Sequence, residues 1–496
     1  MMILAASVCG SALCAMYYLK EQYDYNIRRL PPGPSSFPII GNALSISMKN
    51  PHLSMIELAK RYGDIFSFKL GSKRVVVLNS ADVIKEAYSG IEICNRPQIY
   101  SLEFLVNGKG FMTCTDHRQW KLHMMLCKNA MRVINNTSLG NKITMETTSL
   151  VKQFASRNSK PFNPKEDLHL ASLNILCNLV FGERYERGDP ELTEILDYSA
   201  EIMKVISPIH PVNTLPWLRH FPNKWFDALF KAKDKRDKIL MKKYIQHFAT
   251  FDEENIRDML DALLSATKEA TRNKDNESLS LLTPEHVIIN MWLIFFAGTD
   301  TTANTLLWAL LYMAAFPKKQ ALIHDELDRV VGPNGQLNLE HRPDMPYLEA
   351  TVYEILRYSS LTILGVPHAA ARDTNVRGFH IPKGTQVLAN IWAVHHDEEA
   401  WDRPHEFLPE RFLNSEGKMK KPSEFPHFMP FSTGRRICIG KNIAKCELFL
   451  LIGNLLQEYT FRMPDNVEPD LEGEVTFSLV PKPYEIVAEP RIKPEP

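Results

Sequence analysis

The most apolar interior segment of the chain runs from Val287 to Phe316, and it strongly limits the folds that the chain can adopt. It is preceded by Thr283, Pro284 and Glu285, which supply a capping hydroxyl, a proline suited to the first turn and an acid near the positive end of the helix dipole. The pattern predicts a buried helix of about 28 residues. Such a helix needs a large, mostly helical body around it.

The middle of this segment carries Asp300, which is flanked by Thr299, Thr301 and Thr302. A carboxylate costs several kcal/mol in lipid or in a dry core, so a membrane span is disfavoured here. Two interpretations remain open. Either the threonines bond to carbonyls one turn back while Asp300 reaches a polar cavity, or the acid and its neighbours relay protons to a buried ligand.

The remaining sequence is that of a globular chain with mainly helical periodicity. Of 496 residues 45% are hydrophobic, and 58 basic residues balance 58 acidic ones, which excludes a disordered chain and gives no electrostatic drive toward nucleic acid. The eight cysteines include no CxxC pair and indicate reduced thiols. A hairpin is predicted from Ile65–Leu70 and Val75–Leu78, and a loop from Lys268 to Ser280. The fold class is therefore mostly α with minor β.

The N-terminus predicts a membrane anchor. Met2 to Leu19 lacks charge over 18 residues, about 27 Å of helix, and the basic residues Lys20, Arg28 and Arg29 follow it. This asymmetry favours an uncleaved anchor with a cytosolic body over a cleaved signal peptide, with a peripheral helix as the third alternative. The sequons at Asn135 or Asn136 and at Asn276 are then expected to be unmodified.

The Pro31-Pro32-Gly33-Pro34 run is expected to end the anchor, because it is incompatible with a helix interior. Three regions follow from these features. They are an anchor and juxtamembrane segment over residues 1–30, a catalytic domain over 31–490 and a disordered tail over 491–496.

Residues 431–440 (FSTGRRICIG) precede a predicted helix from Asn442 to about Tyr459. This order places Cys438 just before a helix N-terminus, where free amides and the helix dipole stabilise a thiolate, and Arg436 can reach an anionic group. A lone cysteine is more often a small core residue. A cysteine peptidase or a zinc site, however, would need partners that the sequence does not identify nearby.

The pattern FxxGxRxCxG resembles the haem-binding signature of the cytochrome P450 family at all five fixed positions. The segments Ala297–Thr302, Glu354–Arg357 and Pro409–Phe412 follow the family's order, as do the anchor and the proline run. The resemblance implies a helix-rich body with a small β-rich subdomain and an N-terminal membrane anchor. It also implies one haem b with Cys438 as thiolate ligand, and insertion of one oxygen atom of O2 into a C–H bond.

The resemblance also implies roles for particular residues. Asp300 and Thr301 match the acid–alcohol pair that delivers protons, and Ala297 and Gly298 are expected to leave room for ligands. The haem-contacting positions are Arg96, Trp120, His368, Phe431 and Arg436. The structural network is formed by Glu354, Arg357 and Arg411. Met124 stands where relatives carry a haem-contacting arginine, and compensation is expected from His123 or Lys121.

Within the family, the likeness is to microsomal animal steroid 17α-hydroxylases and aryl-hydrocarbon hydroxylases, over residues 215–224, 366–368 and 390–396. Ser199 replaces an asparagine that contacts the steroid ketone in the former, and Arg236 matches a second polar contact. A hydrophobic small molecule is expected as substrate, either steroid-like or a flat aromatic or lipid molecule. The predicted pocket is lined by Phe104, Leu105, Ser199, Arg236, Phe296, Ala297, Val366 and Leu479.

The resemblance further implies residence in the endoplasmic reticulum membrane and electron delivery from NADPH by cytochrome P450 reductase. Reductase docking is predicted at Arg435, Lys441 and Lys445, with cytochrome b5 as a further candidate partner. The remaining partners are membrane lipid, O2 and a hydrophobic small molecule, and nucleic acid is not expected. Two alternatives remain: a haem-thiolate isomerase or lyase that needs no reductase, and a non-catalytic lipid-binding haem protein.

Overall fold

The computed structural model describes residues 15–47, 49–132, 136–206, 210–214, 218, 220–221 and 223–492, without the side chains of residues 136, 137, 211 and 214. Most of the described chain is helical. The helices are α1 (15–26), α2 (Pro51–Tyr62), α3 (Ala81–Ser89), α4 (Tyr100–Val106), α5 (His117–Arg132), α6 (Asn136–Ala155), α7 (Lys165–Phe181), α8 (Pro190–Val205), α9 (Pro211–Thr214), α10 (Lys224–Thr250), α11 (Met259–Arg272), α12 (Asn276–Ser280), α13 (Pro284–Ala315), α14 (Pro317–Val330), α15 (Pro346–Ser359), α16 (Ile391–His395) and α17 (Lys441–Glu458).

Short strands form a small β-rich part. They are β1 (Ile65–Leu70), β2 (Lys73–Leu78), β3 (His368–Ala369), β4 (Thr374–Val376), β5 (Phe379–Ile381), β6 (Gln386–Ala389), β7 (Tyr459–Arg462), β8 (Glu474–Val475), β9 (Leu479–Val480) and β10 (Val487–Pro490). One sheet has the order β1-β2-β6-β3, in which β1 and β2 form the predicted antiparallel hairpin and β2 runs parallel to β6. The prediction of a mostly α fold with minor β is confirmed.

Helix α13 is the central helix, and it begins where the sequence predicts. Thr283 accepts a hydrogen bond from the backbone N–H of His286, and Pro284 occupies the first turn. The helix packs against α7, α15 and α17. Gly298 does not leave room for a ligand as expected, because a Cβ there would lie 2.3 Å from Leu176 Cδ1. This glycine allows α7 to approach α13 closely.

The predicted loop from Lys268 to Ser280 is wrong. Helix α11 continues to Arg272 and α12 begins at Asn276, so only three residues separate the two helices. Asp275 caps α12 by accepting a hydrogen bond from the Ser278 amide at 3.1 Å. A polar composition fits the solvent-exposed end of a helix as well as it fits a loop.

The chain termini are only partly described. Residues 1–14 of the predicted anchor lie outside the described residues, and no helix among the described residues is long and apolar enough to cross a membrane. At the other end, Arg491 binds Asp328 at 2.6 Å, which holds the start of the predicted tail. Residues 493–496 of that tail lie outside the described residues.

Candidate active site

The loop before α17 presents Cys438 at the start of a helix, as the sequence predicts. A short 3-10 turn spans Gly434–Arg436, and the Cys438 amide donates to the Phe431 carbonyl at 3.0 Å. Gly434 has φ +74°, and a Cβ there would lie 2.1 Å from the Tyr88 carbonyl oxygen. Only glycine therefore fits this turn.

Among the six described cysteines, Cys438 alone is exposed. Burial nevertheless raises the pKa of its thiol, while the backbone amides of Gly440 and Lys441 lower it. The two observations agree if the sulfur is enclosed on most sides and open on one. The amides favour the thiolate, and a cation bound on the open side would favour it further.

Two arginines meet beside this loop. Arg436 is buried with its guanidinium 4.4 Å from the Trp120 ring centre. Its three N–H contacts go to the carbonyls of Cys94 (2.8 Å), Phe111 (2.9 Å) and Cys114 (2.6 Å). Arg96 donates in the same way to the carbonyls of Met112 (3.3 Å), Val366 (2.8 Å) and Pro367 (2.8 Å). Backbone carbonyls orient both cations without neutralising either.

In the described part of the chain, the hydrogen bonds of Arg96 and Arg436 go to backbone carbonyls and not to carboxylates. Burial and the nearby Arg436 charge lower the pKa of Arg96 to about 9. Two neighbouring cations, Arg436 buried and Arg96 half-buried, are costly unless an anion joins them. Haem carries two propionate carboxylates, so this donor set beside an accessible cysteine fits haem.

His368 lies between these arginines and α3. Its ring stacks on Tyr88 with centroids 3.7 Å apart, and its Nδ1 lies 2.8 Å from the Ile93 carbonyl oxygen. Burial, reinforced by the Arg96 charge, lowers the pKa of His368 well below its ordinary value. His368 is therefore neutral and can act as a hydrogen-bonding group but not as a cation.

Of the two residues expected to compensate for Met124, His123 is buried and contacts α13. Met124 and His123 are both buried, and the His123 Nδ1 lies 3.1 Å from the Asn290 amide nitrogen. Burial, with repulsion from His286, lowers the pKa of His123 to about 4, so it carries no charge at neutral pH. Lys121 is exposed on α5. The spacing from Trp120 did not show which side chains of α5 face the core.

The acid and the alcohol of α13 lie side by side but have different partners. Thr301 Oγ1 donates to the Ala297 carbonyl at 2.7 Å, which leaves its oxygen able to accept a further hydrogen bond. Asp300 has a carboxylate oxygen 3.7 Å from His169 Nε2 on α7. Both side chains are half-buried. Thr301 shows the back-bonding that the first interpretation predicted, and the carboxylate of Asp300 faces His169 of α7.

Glu447 on α17 is a functional candidate that the sequence analysis missed. It is 1% exposed, it is hydrogen-bonded to Thr302, and its Oε1 has no partner among the described residues. Burial raises the pKa of Glu447 to about 8. The available signal was an acid inside the apolar run of α17, next to Leu448 and Phe449.

The free energy of unfolding of Glu447→Gln, relative to that of the wild type, is expected to increase as pH rises. The folded state holds the proton up to about pH 8, whereas the unfolded chain releases it near pH 4.5, so the wild type loses up to about 1.4 kcal/mol per pH unit between these values. Glutamine has no proton to lose. Denaturant unfolding at pH 5.5 and 7.5 should show a larger advantage for Glu447→Gln at pH 7.5, and equal differences would contradict the buried neutral acid.

The predicted structural network is brought together by the fold. Arg357 binds Glu354 through two contacts, Nε to Oε2 at 2.7 Å and Nη2 to Oε1 at 2.8 Å, and both side chains are fully buried. Arg411 Nε lies 3.2 Å from Glu354 Oε1, which also accepts the Leu408 amide at 2.9 Å. These contacts hold α15 against the segment around residues 404–411.

The predicted substrate pocket is brought together in part. Arg236 is fully buried, donates to the Leu105 carbonyl at 2.7 Å and lies 4.3 Å from the Trp292 ring centre, which is 5.2 Å from the Phe296 ring. Its Nη1 has no partner among the described residues. Phe104 makes an edge contact with a ring of α10 at 4.4 Å.

The other predicted pocket residues have separate surroundings. Val366 is 37% exposed, and its carbonyl binds Arg96. Leu479 is buried, and its carbonyl accepts the Trp308 indole N–H at 2.9 Å. Ser199 is half-buried on α8, and Ala297 is half-buried on α13.

The predicted reductase-docking cations differ in their environments. Lys441 and Arg435 are exposed, and Arg435 donates to the Ser89 carbonyl at 2.9 Å. Lys445 is half-buried, because its Nζ donates to the Tyr353 hydroxyl at 2.6 Å and lies over that ring. Burial lowers the pKa of Lys445 to about 8. Lys445 is therefore not a free surface cation.

The sequence profile described as Cytochrome P450 matches residues 31–488 of the chain. The steroid 17-alpha-hydroxylase/17,20 lyase of Ictalurus punctatus is 34% identical over 495 residues, which cover 98% of this chain and 96% of the relative. Cytochrome P450 1A1 of Rattus norvegicus is 36% identical over 461 residues (90% and 86%), and cytochrome P450 2U1 of Bos taurus is 32% identical over 494 residues (94% and 90%).

The chain therefore belongs to the cytochrome P450 family, and the resemblance inferred from its motifs is confirmed. Its enzyme class is that of the P450 monooxygenases. The cofactor of this family is haem b with a cysteine thiolate bound to the iron.

Proposed function

We propose that the chain is a reductase-driven monooxygenase for a flat, hydrophobic small molecule, either steroid-like or polycyclic aromatic. The observation that carries the proposal is the adjacent Asp300 and Thr301 on α13, in a chain of the P450 family. An isomerase or lyase would not need this acid–alcohol pair. When bound, haem supplies oxygen activation at its iron.

The residues proposed to hold haem act from two sides. Cys438 ligates the iron through its sulfur, and Phe431 accepts the Cys438 amide and fixes the loop. Arg96 and Arg436 bind the propionates. The negative charge of the propionates balances the two arginines, neither of which is paired with a carboxylate of the described residues. Trp120 and His368 are proposed to line the same side of the haem. Trp120 packs against the Arg436 guanidinium, and His368 stacks on Tyr88.

Thr301→Ala is expected to uncouple electron consumption from product formation. The hydroxyl of Thr301 accepts and passes a proton while Asp300 exchanges protons with solvent through its half-exposed carboxylate. Without the hydroxyl, product formed per NADPH should fall by about tenfold or more, with oxygen consumption retained. Thr299→Ala, two positions earlier on the same helix, serves as the control. In this variant electron consumption and product formation should stay coupled. Tight coupling in Thr301→Ala would contradict the relay.

The substrate pocket is proposed to be lined mainly by Phe104, Leu105, Phe296 and Ala297. Its remaining proposed wall residues are Val366, Leu479 and Ser199. Apolar and aromatic walls with few polar groups suit flat hydrophobic molecules. Arg236 offers the unpartnered Nη1–H as a donor to a ketone or hydroxyl oxygen of the substrate. The names of the relatives, a steroid hydroxylase and cytochrome P450 1A1, support the same substrate class.

Electrons are proposed to come from NADPH through cytochrome P450 reductase docked near Lys441 and Arg435, with cytochrome b5 as a second partner. Lys441→Glu should slow the first reduction of the haem by about fivefold at low salt, because an acidic partner is then repelled, without changing substrate binding. Lys383→Glu, an exposed lysine between β5 and β6, is the control. Stopped-flow reduction measures both rates, and equal rates would contradict docking at Lys441.

The protein is proposed to reside in the endoplasmic reticulum membrane with its body in the cytosol. The uncharged run from Met2 to Leu19 and the basic residues after it support this orientation. Protection of the body from cytosolic protease in sealed microsomes would contradict it.

The function is tested by reconstituting the holoprotein with reductase and lipid. We expect NADPH-dependent oxygen uptake that rises with a hydrophobic substrate and yields a product heavier by one oxygen atom. Product formation without NADPH would favour the isomerase or lyase, and neither uptake nor product would favour a lipid-binding haem protein. A panel of steroids and polycyclic aromatics, screened by shifts of the haem Soret band, identifies the substrate.

A further inference from the structure

The helix that leads into the catalytic body, α1, is bound to that body along one face. Glu21 is 3% exposed, and its carboxylate accepts the Ser36 hydroxyl at 2.5 Å and the Ser36 amide at 3.2 Å. Lys69 on β1 lies 3.2 Å from the same carboxylate. A fully buried acid with three partners holds a helix in place far more firmly than a surface ion pair does.

A second ion pair acts one turn further along α1. Asp24 lies 3.9 Å from Arg74 on β2, and Arg74 also donates to the Tyr25 hydroxyl at 3.3 Å. Lys69 and Arg74 are directly paired across the hairpin, and Glu21 and Asp24 are three residues apart on α1. Two acids on one helix face therefore meet two bases on neighbouring strands.

The start of α1 joins the same contact. The Tyr17 hydroxyl lies 2.6 Å from Ser36 Oγ, and Lys69 donates to that hydroxyl at 3.1 Å while lying over the Tyr17 ring. We name the contact of Tyr17, Glu21 and Asp24 with Ser36, Lys69 and Arg74 the latch. It places residues from Tyr17 onward against protein.

The face of α1 turned away from the latch is apolar and exposed. Met16, Leu19, Tyr23 and Ile27 are 58%, 70%, 54% and 65% exposed, and their spacing forms one stripe along the helix. The loop after the latch adds exposed apolar side chains. They are Phe37 (51%), Ile39 (80%) and Leu44 (78%).

Charge and composition identify the partner of this stripe. Lys20, Arg28 and Arg29 are exposed beside it, and the uncharged run from Met2 leads into it. Basic residues at the edge of an apolar helix face, together with tyrosine, suit the headgroup region of an anionic bilayer. A second protein chain would not need this basic border.

We infer that α1 lies in the plane of the membrane surface, with Leu19, Tyr23 and Ile27 in lipid and the latch holding the β1–β2 hairpin at a fixed orientation over the bilayer. This inference rests on the proposed membrane association. It places residues 15–19 at the membrane surface rather than within the anchor predicted over Met2 to Leu19, because Tyr17 is already bound to Ser36 and Lys69 of the body. The orientation of the whole body then follows from contacts of Glu21 and Asp24.

Photo-crosslinking of the full-length holoprotein in nanodiscs of phosphatidylcholine and phosphatidylserine tests the lipid contact. With para-azidophenylalanine at Leu19, Tyr23 or Ile27, we expect about fivefold more lipid adducts than at Gln22, which is exposed on another face. Equal lipid adducts at all four positions would overturn the in-plane helix. Adducts with a second protein chain at the stripe would also overturn it.

Amide hydrogen exchange tests the latch. In Glu21→Gln/Asp24→Asn, exchange of the amides of residues 21–27 should rise by about tenfold, and lipid adducts should appear at Gln22. Asp64→Asn, an exposed acid beside the hairpin, controls for the loss of charge. Unchanged exchange would overturn the latch. The carbon monoxide spectrum and oxygen uptake are measured on each variant, so a failure of the monooxygenase proposal is separately visible.

Discussion

Glu354→Ala is expected to yield protein without haem. The substitution leaves the fully buried Arg357 without its two carboxylate contacts. It also removes the carboxylate acceptor of Arg411 and the acceptor of the Leu408 amide. Breaking one side of a buried ion pair costs about 3 to 5 kcal/mol. This loss is a large fraction of the stability of a typical domain. Arg357 also donates to the His395 carbonyl at 2.7 Å, and His395 Nε2 accepts the Met429 amide at 3.0 Å, so the loss would reach the segment that leads into the cysteine loop.

The haem-to-protein ratio of the purified variant measures this effect. Glu410→Ala is the matched control, because the Glu410 pair with Lys319 is 44% and 23% exposed and its loss should cost less than about 1 kcal/mol. Arg357→Ala should behave like Glu354→Ala. A normal haem content in either buried variant would show that the network is dispensable.

Arg436→Leu is expected to have a comparable effect by a different route. Leucine removes the donor to three buried carbonyls, each of which costs about 1 to 3 kcal/mol when unpaired. It also removes one of the two cations assigned to the haem propionates. Haem content should fall below about a tenth of the wild-type value.

The neighbouring residue provides the control for this substitution. Arg435 is exposed and makes a single contact with the Ser89 carbonyl, so Arg435→Leu should keep its haem. A third variant, Arg436→Lys, keeps a positive charge but not the fork of donors, and should bind haem weakly. Full haem content in Arg436→Leu would contradict the assignment of Arg436 to the propionates.

Sequence patterns predicted the elements whose signals are local. The cap at Thr283 and the apolar run after it specified α13, and the runs Ile65–Leu70 and Val75–Leu78 specified the hairpin. The helix after Cys438 begins at Lys441, one residue before its predicted start. In each case, the signal lies within a few residues of the element that it specifies.

Features that depend on packing could not be predicted in this way. His123 binds Asn290 of α13, and Lys445 binds Tyr353 of α15, because helices that are distant in sequence meet there. Gly298 is needed for the approach of α7, which the sequence of α13 does not reveal. The buried position of Glu21 requires Ser36 and Lys69, which belong to other elements.

The central claim is that the sulfur of Cys438 binds the haem iron as a thiolate. The spectrum of the reduced protein under carbon monoxide tests it most directly, with Cys438→Ser and the half-buried Cys446→Ser measured beside the wild type. We predict the red-displaced Soret band of a thiolate ligand in the wild type and in Cys446→Ser, and its loss in Cys438→Ser. Absence of that band from the wild type, or its persistence in Cys438→Ser, would contradict the claim.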